Sequence, residues 1–181
     1  MANVHIEVGS AVKGASPRVR AIQKAGERIL RAQLGDLDGL RFIDNRVRRD
    51  GDDPHITILS PQEHKTAITT GVLTRELLGT VAIPDDFRVR GLGRAVGGGS
   101  TAYFVVLDWP GGEAFRESLG FDPNGPGGHG FHLTIGFDDS GDVHGVDKTK
   151  VLGKTASLRS SLIRLAYANP DLRPRLLPLI E

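Results

Sequence analysis

The sequence predicts an α+β fold with two pseudo-symmetric lobes, mixed or antiparallel sheets around a central cleft, and a helix appended at the C-terminus. Three observations lead there. Strand-like and helix-like segments alternate, but hairpins and short links replace the regular crossovers that a doubly wound sheet requires. A four-residue pattern occurs twice, as His55-Ile56-Thr57-Ile58 and as His132-Leu133-Thr134-Ile135, once in each half of the chain. Beyond the second copy, residues 155–181 form an amphipathic tail that repeats nothing before it, so the expected division is a domain over 1–154 and a helical tail over 155–181.

Taken in order, VHIEV (4–8) alternates like a strand. Ser16 as N-cap, Pro17 at the first helical position and Gly35 as terminator predict a first helix between them. LRFIDNRV (40–47) reads as a strand, and PHITILS (54–60) as another, entered through Pro54. A second capped helix is expected from about Ser60 to Leu78. Residues 85–110 read as two strands joined across the glycine-rich GLGRAVGGGS (91–100). A short helix at GGEAFRESLG (111–120), the loop FDPNGPGGHG (121–130) and the strand FHLTIGF (131–137) follow. The tail is helical until Pro170, with Leu158, Leu162, Ile163, Leu165 and Ala166 on one side, and is expected to dock on the outside of the domain or to mediate homo-oligomer contacts.

The 181 residues suffice for one domain with a real core. A net charge of +1 excludes proteins that coat duplex nucleic acid by charge alone, while leaving room for a compact anion site. There is no cysteine, which removes thiolate chemistry and fits a reducing compartment. With no apolar run resembling a signal peptide or a membrane span, the expectation is a soluble cytoplasmic protein with no membrane partner.

In a strand, residues i and i+2 share a face. His55 and Thr57 therefore point one way and Ile56 and Ile58 the other; His132 and Thr134 part company with Leu133 and Ile135 in the same manner. Two such strands would bring two imidazoles and two hydroxyls around one space. A phosphodiester can use all four: one imidazole takes a proton from the attacking oxygen and the other gives one to the leaving oxygen. The hydroxyls donate to the non-bridging oxygens.

Other residues enter at the rim. His129, three positions before His132, falls in the loop; His144 lacks a hydroxyl two residues on and is no third copy; Arg49, with Arg46 and Arg48, precedes the first motif strand and could attract an anion. Tyr103 and Phe104 alternate in facing, so at most one of them can stack on a base, and Tyr103 is the candidate. His64 reads as solvated, and His5 with Glu7 as structural. The motif strands carry threonine where a metal site would add a carboxylate or a third histidine, so neither a metal nor another cofactor is expected. The glycine run 91–100 has strand-like residues on both sides, which argues against a phosphate loop opening a helix.

The paired His-x-Thr-x strands resemble the 2H phosphoesterase superfamily, and GFHLTIGFDDSGDVHGVDK resembles its Swiss Army Knife branch, over roughly residues 3 to 150. That resemblance implies two lobes around a cleft, His55 and His132 as catalytic residues, Thr57 and Thr134 as phosphate ligands, and a place for His144 near the cleft. It also implies metal-independent action on 2′,3′-cyclic phosphates or 2′–5′ linkages, with a bearing on RNA repair. The expected partner is an RNA end or a small nucleotide. Two alternatives share the cleft: a phage-type nuclease for cyclic oligonucleotide messengers, and a module that holds RNA ends without turnover.

Overall fold

The computed structural model describes residues 3–5, 11–13, 17–51, 53–74, 82–152, 156–168 and 170–177. Its elements in chain order are β1 (Asn3–His5), β2 (Ala11–Lys13), α1 (Pro17–Leu34), α2 (Asp36–Asp50), β3 (His55–Thr57), α3 (Pro61–Thr69), β4 (Ala82–Pro84), β5 (Arg88–Gly97), β6 (Ser100–Asp108), α4 (Pro110–Ser118), β7 (Phe131–Phe137), α5 (Ala156–Ala168) and α6 (Arg173–Leu176). The expected residues Ser16, Glu7 and Leu78 lie outside the described residues.

Five strands form one antiparallel sheet in the order β2-β3-β7-β6-β5, and β1 pairs with β4 in a two-stranded ribbon. The fold is thus α+β with an antiparallel sheet, and both motif strands are interior and adjacent. β5 and β6 pair along their length with one bulge between Val89 and Gly91, and are joined by a two-residue turn at Gly98 and Gly99, whose φ values of 61° and 83° suit a primed hairpin turn. The loop expected over 91–99 is therefore strand for all but its last two residues.

α1 and α2 cover one face of this sheet. Gly26 lets α1 press onto Ile135 and Val105, and Gly136 lets β7 approach the Phe42 backbone so closely that an added Cβ would sit 2.7 Å from it. Ile56, Ile58, Leu133, Ile135 and Leu107 meet Ile22, Leu30 and Phe42 in this main core. Residues 40–47, expected as a strand, belong to α2. Its buried positions Gly39, Phe42, Ile43 and Arg46 follow a three-and-four spacing, which the short apolar run LRFI masks when read alone. α3 ends at Thr69, earlier than expected, with Thr70 as its C-cap and a turn through Gly71.

The opposite face carries a smaller cluster of Ala95, Ala102, Phe104, Val106, Phe137 and Val143. It is covered by the irregular return segment 138–151, which is pinned by the Lys148 amide donating to the His129 carbonyl (3.0 Å) and by a bridge between Gly93 and Val151. The tail does not stand apart: Leu162, Ala166 and Leu176 join the main core. Among the described residues no helix is long and apolar enough to cross a membrane.

Candidate active site

β3 is short because Pro54 enters it and Ser60 ends it by capping α3. The Ser60 hydroxyl accepts from the Glu63 amide (3.2 Å) and the Glu63 carboxylate accepts from the Ser60 amide (2.7 Å), a reciprocal capping box. Glu63 also binds Arg116, which is fully buried, at 2.7 Å, and the same guanidinium donates to the Ile58 and Asp122 carbonyls. The Gly127 amide donates to Glu63 as well (3.2 Å). Burial alone would raise the Glu63 carboxyl, but the Arg116 hydrogen bonds and those backbone donors outweigh it and bring it to about 2. This pair ties the end of β3, α3, α4 and the loop before β7 into one block. Nothing in the local pattern around Arg116 or Glu63 announces a partner 53 positions away.

Ile56 lies opposite Leu133 in the antiparallel register. One step either way sets His55 level with Thr134, and Thr57 level with His132. Directly opposed residues project from the same side of a sheet. Because Ile56 and Leu133 enter the helix-side core, the four polar side chains occupy the other face as a crossed quartet, each histidine beside the other strand's threonine. The two histidines are diagonal neighbours, with backbones roughly 7–8 Å apart for such a pair.

His132 is held on several sides. The Gly130 carbonyl lies 3.2 Å from Nδ1, and the Lys148 ammonium lies 3.3 Å from Nε2. An ammonium only donates, so Nε2 accepts, Nδ1 carries the proton, and the ring is neutral. Phe104 meets the ring edge-to-face at 5.6 Å. Burial, then the Lys148 charge, push the His132 pKa down from 6.5 to about 4; the His55 ring pushes the same way, while the Gly130 carbonyl and Asp142 oppose.

Lys148 and Asp142 face each other at 3.6 Å, each only 5 % exposed. Burial lowers the Lys148 pKa against the pull of Asp142. Burial would raise Asp142, but Lys148 and Arg49 together hold it below the ordinary carboxylate range. Arg49 reaches Asp142 at 2.8 Å and Asp50 at 2.5 Å, and lies over the Phe137 ring at 4.5 Å. Burial works against its charge, yet these hydrogen bonds raise its pKa.

The rim candidates divide. Arg49 is already committed to Asp142, and so reaches the quartet only through Lys148. His129 stands at the foot of the 121–130 loop, close enough to Asp147 to help lower that carboxyl after the Thr149 hydrogen bonds. His144 is exposed on the return segment. Tyr103 is not at the rim: it is 8 % exposed in the main core, edge-on to Phe42 at 5.5 Å, because the pleat turns it toward the helices and Phe104 toward the quartet. Lys148 and Asp142 were legible only as part of a polar loop, since their convergence on His132 depends on the return path of residues 138–148. Among the described residues no group of three or more histidines and carboxylates is arranged to hold a metal ion.

No curated protein and no solved structure matches the chain significantly. The family described as "Swiss Army Knife, 2H phosphoesterase domain" matches residues 22–144, about two thirds of the sequence, and that span includes β3, β7 and all four residues of the quartet. A repeated His-x-Thr pattern, two adjacent interior strands that bring its copies face to face, and this match agree: the chain belongs to the Swiss Army Knife 2H phosphoesterases.

Proposed function

We propose that this phosphoesterase is a phosphodiesterase that opens the 2′,3′-cyclic phosphate of an RNA end or small nucleotide without a metal ion. The crossed quartet carries the proposal: four side chains on one sheet face supply two proton-transfer groups and two hydroxyl donors. His132 suits the base, since its ring is kept neutral with Nε2 as the acceptor. Water gives a proton to Nε2 as its oxygen bonds to phosphorus; the phosphorus–O3′ bond breaks, and His55 protonates O3′, leaving a 2′-monophosphate. Thr57 and Thr134 donate to the non-bridging oxygens, where negative charge accumulates.

Specificity would come from the 121–130 loop and the return segment 138–148. Loops of this kind suit a terminal or single-stranded nucleotide better than a duplex, whose bases are not free to stack. The test is a panel of 2′,3′-cyclic RNA ends, linear 2′–5′ and 3′–5′ oligomers, and cyclic di- and trinucleotides. Cyclic ends should be opened to 2′-monophosphates, in EDTA as well as without it. His55→Ala and His132→Ala should each cost at least about 10²–10⁴-fold in kcat, with the double variant little worse. Thr57→Ala and Thr134→Ala should each cost about 2–4 kcal/mol in transition-state binding. Protein inert on cyclic ends but active on cyclic oligonucleotides would move it to messenger degradation; tight binding of RNA ends with no turnover on any substrate would make it a binding module.

A further inference from the structure

A lysine that is 5 % exposed needs an explanation, because an ammonium is seldom taken out of water unless it is paired. Lys148 has a partial one in Asp142, but at 3.6 Å that contact is long, and the ammonium stands closer to the Nε2 atom of His132. Its Nζ atom stands 5.6 Å from the centre of the Phe104 ring, so the ammonium end of the side chain reaches the quartet between that ring and His132. Its own amide is fixed by the His129 carbonyl, immediately before the Gly130 carbonyl that faces the other nitrogen of His132. One short stretch of backbone thus fixes both edges of the imidazole.

We propose that Lys148, steered by Asp142, is a positioning residue for His132, selecting the neutral ring with Nε2 turned to the quartet and holding it so until an anionic phosphate enters. For its catalytic consequence this rests on the phosphodiesterase reading; for the state of the ring it does not. The charged and titratable groups that face His132 are Lys148 and Asp142 from the return segment and His55 from β3, with Arg49 of α2 behind Asp142. Lys148 and Asp142 act on the ring with opposite signs. In the free protein the ammonium accompanies the Nε2 lone pair and disfavours a second ring proton. An arriving phosphate offers the same ammonium a charged oxygen, a stronger acceptor than an imidazole nitrogen, and its departure frees Nε2 for the water that must be deprotonated.

Opposite signs make the proposal testable without a substrate. The His132 ring would be titrated by NMR in the wild type and in the K148M, D142N and K148R proteins, with urea unfolding to show that each is folded. K148M should raise the His132 midpoint by about one pH unit or more, D142N should lower it, and K148R should leave it near the wild-type value. Should K148M fail to fold, K148Q provides the same removal of charge. Midpoints that stay put, or that move together in K148M and D142N, would overturn the proposal. On a 2′,3′-cyclic end, the acid limb of kcat/KM should move upward in K148M with the NMR midpoint; a limb that stays put while the midpoint moves would overturn the catalytic role. Opposed NMR shifts in a protein inactive on every cyclic end would uphold the positioning and refute the phosphodiesterase reading.

Discussion

His132 is a histidine that resists protonation, and the cost of that resistance is visible in stability as well as in chemistry. Its pKa is 6.5 in an ordinary setting and about 4 in the fold. Below pH 6.5 an unfolded chain takes up a proton there that the folded chain refuses, so falling pH favours unfolding; below about 4 both states are protonated and the effect levels off. The contribution is complete above pH 6.5 and is lost between 6.5 and 4, on the order of 3 kcal/mol if the whole shift is realised. Urea midpoints measured across this window should decline more steeply in the wild type than in His132→Asn, which has nothing to protonate. Equal slopes would mean that the ring is less constrained than its contacts imply. At this scale the sequence was generous with the four members of the quartet, because strand periodicity alone fixes their facing. It said little about Lys148, whose facing is set by an irregular segment that has no period to read.

The elements are held in register around the quartet by Arg116 and Glu63 rather than by apolar packing alone. A buried guanidinium serving α3, α4, β3 and the loop before β7 leaves several acceptors stranded if it is removed. Arg116→Met should therefore destabilise the protein by about 3–5 kcal/mol, the usual result of leaving one member of a buried pair alone. Arg116→Met combined with Glu63→Gln should recover part of that loss, as a double-mutant cycle in urea would show. Most elements were legible: α1 from Pro17 and its apolar face, the β5–β6 hairpin from its glycines, α4 from its boundaries. α2 was not, since LRFI looks extended in a four-residue window and only the longer spacing through Arg46 reveals the helix. The contents of 91–97 misled in the other direction, because glycines there permit close packing, with Gly93 under the Phe104 ring, rather than looseness.

For the molecule as a whole, the C-terminal helices belong to the same core as the sheet. Leu162, Ala166 and Leu176 are fully buried in it, so deleting residues 156–181 should expose apolar surface on α1, lower the melting temperature and reduce solubility. The quartet is on the other face of the sheet, so kcat at a temperature where the shortened chain is still folded should remain within a few-fold of the full protein. A selective loss of turnover with unchanged melting would instead place the tail in the site. The strand order has a further consequence for biosynthesis. β7 is the middle strand of the sheet and the last to leave a ribosome, and it must enter between β3 and β6. Until residue 137 has emerged, a nascent chain holds two unpaired inner edges, surfaces that invite pairing with other chains. A stall in the glycine-rich stretch 120–130 would hold the nascent chain in that state, with both inner edges open to pairing with another chain.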